Sequence, residues 1–357
     1  MMSRERILAV CSGQSADHVP LTTWCFGFCA PPHLRWRAAG REVERWYSLR
    51  LEHIHTLPEP WTIEDDFSRA RAWLSIGVDD ILDVSVPWSV DPEVAWADSR
   101  APARAGDARP VLVREYRTAA GTLRHAVRET GEKVEPGWVV QPDHVPLFED
   151  YNIPRAVEHA VAGQADVEPI RYLYAGPDEE AHRSFRRRME SVRRFADDVG
   201  VAVQAWSAFG MDAVVWLAGG EGAVLMAMDD PKAFGRLVDI VAETDRARTE
   251  LACSDPGVDI IVERGWYSST DFWSPALFDR YVYPQVRDLA ELAHRHNNKF
   301  AYVMTTGVEI LGPRLADAGV DLLYFVDPVQ DSITLERARE LLGGRMTLAG
   351  GTNALTL

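Results

Sequence analysis

Two hydrophobic periods alternate along the chain. Short, nearly unbroken apolar runs occupy residues 19–28, 78–86, 201–206, 258–263, 299–305, 320–326 and 345–350, and runs of this length bounded by polar or Gly-rich residues read as buried strands. Between them the period changes to that of a helix. Val282, Val286, Leu289 and Ala293 recur at spacings of four, three and four, which lays one apolar stripe against a sheet. Ser274 and Pro275 open that segment as a cap and first-turn pair, and Pro284 divides it into a short helix and a longer one. The pattern predicts further helices over 65–76, 178–199 and 231–248, and two short ones joined at the glycines of 219–222. Those glycines match neither nucleotide-binding fingerprint. Strand, helix and strand in repeated order predict an α/β protein, a (β/α)8 TIM barrel. Seven strands can be counted and an eighth cannot. The sequence therefore predicts a barrel lacking its last βα unit, either as a piece of a longer protein or with the gap covered by an insertion or by the second subunit of a homodimer.

The rhythm breaks between about 88 and 180, read here as an insertion in one barrel domain spanning 1–357. Residues 98–109 are rich in Ala, Arg, Asp and Pro and predict a loop. Residues 111–117 and 122–127 flank Ala119, Ala120 and Gly121 as a hairpin, 134–141 adds a strand, and 153–161 a helix. Insertions above strand ends shape pockets, which makes Arg114, Tyr116, Arg117 and His125 candidates for substrate contact.

Composition narrows the class. The apolar share of 46% supplies a large core, and the net charge of −16 argues against general affinity for nucleic acid or anionic membrane. There is no 18-residue apolar span and no leader-like start, so a soluble cytoplasmic protein is expected. The cysteines number four and form no disulfide pattern, and Cys25 and Cys29 are read as packing residues. Arg186, Arg187 and Arg188, with Arg193 and Arg194, read as the solvated face of a helix. No HExxH, GxSxG or CxxC is present, so neither a metal nor a cofactor is expected.

Candidate chemistry collects where the strands end. Asp83, Glu263 and Asp327 close three of them, and carboxylates grouped in a partly dry pocket can exchange protons. They are expected to converge on one cavity at the carboxyl edge. Arg35 and Arg37, near His33, suit a carboxylate substrate. Trp206, Trp266 and Tyr267 can line an aromatic pocket, with Thr305 beside it.

The stretches FWSPALFDRYVYP at 272–284, 301–307, Gly319 to Asp321, Asp327 and GGRMTLAGG at 343–351 resemble the second half of the uroporphyrinogen decarboxylase superfamily. That family's barrel is shared by porphyrinogen decarboxylases and by zinc-containing methyltransferases that work with corrinoid proteins. The decarboxylases' Arg-Gln-Ala-Gly-Arg is replaced here by Trp24 to Cys29, while their strand-two aspartate is matched by Asp83 or Asp80. The methyltransferases' His-x-Cys-Gly is matched by Met304, Thr305, Thr306 and Gly307, which are poor zinc ligands. The resemblance implies, first, a cofactor-free lyase releasing carbon dioxide from a polycarboxylate of tetrapyrrole-like type. The alternatives are a corrinoid-protein-linked methyltransferase with a degenerate zinc site, or a ligand-binding barrel without catalysis. Catalytic roles then fall to Asp83, Glu263 and Asp327, and substrate contacts to Arg35, Arg37, Trp206, Trp266, Tyr267 and Thr305.

Overall fold

The computed structural model describes residues 1–22, 28–29, 36–38, 41–43, 45–46, 63–103, 106, 108–131, 145 and 147–351. Helix α1 (Ser3–Cys11) is followed by short strands β1 (Phe28–Cys29), β2 (Trp36–Ala38), β3 (Arg41–Val43) and β4 (Arg45–Trp46), then α2 (Ile63–Leu74) and β5 (Ile81–Ser85). Strands β6 (Ala95–Ala101), β7 (Val111–Thr118), β8 (Gly121–Arg128) and β9 (Ala156–Glu158) precede α3 (Val167–Leu173) and α4 (Glu179–Val199). Then come β10 (Ala202–Ala208), α5 (Met211–Ala218), α6 (Gly220–Asp229), α7 (Pro231–Cys253), β11 (Ile260–Glu263), α8 (Pro275–Tyr281) and α9 (Tyr283–Arg295). The last elements are β12 (Lys299–Val303), α10 (Val308–Ala318), β13 (Leu322–Val326), α11 (Leu335–Leu342) and β14 (Thr347–Gly350).

Among the described residues, a six-stranded parallel sheet runs in the order β14, β13, β12, β11, β10, β5. Its strands hold six of the apolar runs in the sequence. Two faces follow from the period of two. Ile81, Trp206, Val262, Val303 and Tyr324 pack together on the inner face, and Val84, Ala205, Ile261, Tyr302 and Leu323 pack outward with the helices. Helix α1 covers the amino ends of the strands. Its Ile7 and Cys11 join the inner cluster, Arg4 donates its backbone N–H to Gly200 just before β10 (2.7 Å), and Arg6 pairs with Asp79 just before β5. The carboxyl edge is left for the loops.

The helices end where local chemistry says they should. Asp178 caps α4 by accepting from the Ala181 N–H at 2.8 Å, and Gly200 stops it in the left-handed conformation. Asp230 and Pro231 start α7, Ser274 and Pro275 start α8, and Val282 separates α8 from α9. Helices α5 and α6 meet at Gly219 with a bend of 100°, and no single helix among the described residues is long and apolar enough to cross a membrane.

Of the amino-terminal strand predicted over 19–28, residues 23–27 lie outside the described residues, and residues 19–22 form no strand. Val19 is 87% exposed, and Leu21 only touches the sheet by accepting the Asp79 N–H at 2.7 Å. Phe28 and Cys29 instead pair antiparallel with Trp46 and Arg45. Between β5 and α4 lies a four-stranded antiparallel sheet in the order β6, β7, β8, β9. The hairpin at Thr118 to Gly121 is as expected. Residues 95–101, predicted in part as loop, form edge strand β6, because its backbone pairs with β7 and Asp98 takes a bidentate ion pair from Arg114 (2.6 and 2.7 Å). The predicted helix over 153–161 is a 3-10 turn followed by β9, since Pro154 withholds a donor and β8 offers a ladder. The strand predicted at 134–141 and Cys25 lie outside the described residues.

Candidate active site at the carboxyl edge

Asp83 sits on the inner face of β5, directly opposite Gln204 of β10. It is fully buried, so it belongs to the packed interior and is not an exposed pocket carboxylate. Its Oδ1 accepts from Gln204 Nε2 and from the Trp206 indole N–H (2.7 Å), and Gln204 Oε1 accepts from the Tyr324 hydroxyl at 2.7 Å. Strands β5, β10 and β13 are thus tied across the interior. Above this layer Trp206 lies parallel to Trp266, with centroids 6.3 Å apart, and Phe325 packs on Trp266 at 5.7 Å. Phe325 has φ of +67°, strained for a bulky residue, where the β13 register shifts.

Arg264, one residue past β11, is 1% exposed and stands between two indoles, 4.9 Å from the Trp216 ring centre and 4.4 Å from that of Trp266. It donates through Nε to Asp212 (3.2 Å) and through Nη2 to Asp150. Asp212 also accepts the Tyr267 N–H at 2.9 Å. Trp216 Nε1 (2.8 Å) and the Tyr267 hydroxyl complete the hold on Asp150, whose side chain keeps 26% of its exposure. Burial pushes the Asp212 carboxyl up to about 7; Arg264 opposes the shift and Asp150 adds to it.

A second arginine fixes the strand ends. Arg248 of α7 donates to the carbonyls of Val86 (3.0 and 2.8 Å) and Trp206 (3.3 Å), its guanidinium lies 4.2 Å from the Phe209 ring centre, and Asp245 is its carboxylate. Asp245 accepts the Phe209 and Gly210 N–H groups at 3.0 and 2.7 Å. Gly210 is required there: its φ is +52°, and a Cβ would lie 2.7 Å from Glu263 Oε1. Glu263 itself is buried, and its Oε2 has no hydrogen-bond partner. Burial first, then Asp245 and Asp212, raise it well above the usual carboxylate range.

The three proposed carboxylates do not converge. Asp83 faces inward, whereas Glu263 alternates with the inward Val262 and faces outward, among α5, α7 and Tyr302. Asp327 accepts from the Val329 and Gln330 N–H groups (2.9 and 3.1 Å) and so organises its own turn. Trp206 and Trp266 stack on each other, whereas the Tyr267 ring packs edge-on against Phe272 at 5.4 Å, in the outer cluster with the helices. Thr305 is half-buried at the end of β12. Arg35 and the side chain of Arg37 lie outside the described residues; the Arg37 backbone pairs with Glu42. In the antiparallel sheet, His125 is buried and approaches His159 at 6.2 Å between ring centres, while Arg114 is tied to Asp98. The sequence reading missed Asp150, Asp212, Gln204, Trp216 and Tyr324. Asp212 carried one signal, a lone acid in the otherwise apolar helix MDAVVWLA.

The strand order, the inner and outer faces and the crossover helices define an α/β protein with a TIM-like parallel sheet. No family model matches the chain, and no curated protein matches it. Among solved structures the fold is similar to a methyltransferase from Methanosarcina mazei, with a TM-score of 0.50 and 14% identity over 98% of this chain and 82% of that one. A muconate lactonizing enzyme from Pseudomonas putida (TM-score 0.22, 10% identity, 73% of this chain and 80% of that one) is too distant to inform the argument. So is a dipeptide epimerase from Methylococcus capsulatus (0.15, 10%, 66% and 88%). At 14% identity this likeness shows the fold.

The zinc that the methyltransferase resemblance implies does not fit these residues. Met304 offers a buried thioether, and the Thr306 hydroxyl is engaged with Asp271 at 2.7 Å. Among the described residues no group of three or more His, Cys, Asp or Glu side chains is placed to hold a metal ion.

Proposed function

We propose that this protein is a methyltransferase-type enzyme that takes a small substrate at the carboxyl edge of its parallel sheet, against Trp206 and Trp266, with a corrinoid protein as its partner in methyl transfer. The observation that carries the reading is the fold likeness to a methyltransferase over 98% of the chain. The edge supplies what side chains can contribute to such a transfer. The methyl carbon leaves a heteroatom, which keeps the bonding pair, and is taken by a nucleophile from the opposite side. An apolar, water-poor wall holds the methyl group and the two reacting atoms in line. Trp206, Trp266 and Phe325 form that wall. A proton given to the departing heteroatom lowers the barrier. Asp150 keeps contact with solvent and is linked through Arg264 to Asp212, an acid that stays protonated toward neutral pH.

The test is turnover with methylated amines, thioethers and aryl ethers, cob(I)alamin being the acceptor and its absorbance the readout. Trp266→Ala and Asp150→Asn should each lower kcat/KM at least tenfold with the fold intact, while Trp96→Ala, on exposed β6, leaves it unchanged. Equal rates in all three variants would remove the carboxyl edge as the site.

A further inference from the structure

Buried arginines in this protein face carboxylates, and one half-buried arginine faces none among the described residues. Among the described residues, Arg6, Arg69, Arg248 and Arg264 are buried, and each faces at least one carboxylate: Asp79 and Asp17, Asp66 and Asp80, Asp245, and Asp212 with Asp150. A guanidinium taken out of water without a counter-charge is costly, which is why the rule holds. Arg188 is the exception. It lies on α4 between Phe185 and Met189 of the buried stripe, whereas Arg186 and Arg187 beside it are exposed. The sequence places all three on the wet face; the structure turns the third one inward. Its Nη2 donates to the Ser85 carbonyl at the end of β5, its guanidinium lies 5.7 Å from the Phe185 ring centre, and its Nε is buried with no partner. No carboxylate of the described chain pairs with it. Loss of hydration pulls its pKa down to about 10, the direction expected of a cation that lacks its anion.

The position matters as much as the isolation. Ser85 is the last residue of β5, two residues beyond Asp83, and the next carbonyl, that of Val86, is held by Arg248. Arg188 therefore reaches the same carboxyl edge as the tryptophan wall, and it has donors left over. A planar guanidinium presents five N–H groups in a fork that matches an oxyanion, and one is used here. With a net charge of −16, the protein does not attract anions at long range, so an anion held here depends on local pairing.

We infer that Arg188 is the recognition group for an oxyanion, carboxylate or phosphate, carried by the substrate at the end of β5. The inference rests on the carboxyl edge being the substrate site, and it is tested by binding without turnover, so failure of methyl transfer leaves it standing or falling separately. The full chain is titrated with malonate and with inorganic phosphate at constant ionic strength by calorimetry, and melting is followed in parallel. Wild type and Arg187→Gln should bind one of the two saturably, and which one it is separates carboxylate from phosphate. Arg188→Gln should weaken that binding tenfold or more, Arg188→Lys less, and Arg188→Gln without anion should melt no lower than wild type, because it removes an uncompensated charge. Three results would overturn the inference: no saturable binding by wild type, unchanged binding by Arg188→Gln, or a loss of several degrees in that variant without anion, which would show that the chain supplies the partner.

Discussion

Replacing Asp83 by alanine tests whether the interior polar layer is a structural member. The substitution removes the acceptor for two buried donors, Gln204 Nε2 and the Trp206 indole N–H, at a position with no access to water. Each donor left unpaired costs about 1 to 3 kcal/mol, so the sum is about 2 to 6 kcal/mol. Relief from desolvating a carboxylate offsets part of it, which places the expected loss at about 3 kcal/mol. Asp83→Asn keeps one carbonyl acceptor and should cost about 1 kcal/mol, and Tyr324→Phe, which deprives Gln204 Oε1 of its donor, about the same. Urea unfolding followed by tryptophan emission measures all three, and a double-mutant cycle between Asp83 and Tyr324 should show coupling through Gln204. A loss under about 1 kcal/mol for Asp83→Ala, with no coupling, would refute the reasoning.

Other expectations follow from buried charges. Arg264→Met strands Asp212 and Asp150 together and should cost about 3 to 5 kcal/mol in the same urea assay, whereas Arg187→Met on the exposed face should cost almost nothing. His125 is buried with its Nδ1 unpartnered, and burial lowers its pKa from 6.5 to about 4. The unfolded chain then binds more protons between those values, so this contribution to stability is full above pH 6.5 and falls away toward pH 4, by about 3 kcal/mol; His125→Leu should flatten that part of the profile. Asp212 has the opposite sign. Its raised folded pKa makes its contribution greatest at low pH and diminishing from about 4 to about 7, and Asp212→Asn should remove that slope in urea unfolding at stepped pH.

How much of this was legible beforehand depends on the range of the interaction. The β12 and β13 strands announce themselves because a buried parallel strand is a local apolar run, and the caps at Asp178, Ser274 and Asp230 are local as well. Strand β6 was hidden, since what makes it a strand is its pairing with β7. Parity within one strand is readable: Asp83 must share a face with Ile81. Parity between strands is not, because it depends on register, and register put Asp83 beside Gln204 but Glu263 beside Tyr302 on the other face. The partners of Arg264 are 52 and 114 residues away. No pattern in a single sequence joins them. The aromatic residues were easier to place at the edge, since Trp206 lies among the last residues of β10, Trp266 and Tyr267 follow β11, and strand ends share an edge in any parallel sheet. Arg188 shows the limit of composition: three adjacent arginines look alike, and the helical period alone decides which one meets the buried stripe.

The central claim, methyl transfer at the carboxyl edge, is tested most directly with a substrate carrying a 13C-labelled methyl group and the purified protein, cob(I)alamin being the acceptor. The account predicts that the label appears on the corrinoid in step with the demethylated product, and that Trp266→Ala abolishes both. Label remaining on the substrate with every methylated amine, thioether and aryl ether tried, while carbon dioxide is released from a polycarboxylate, would contradict it.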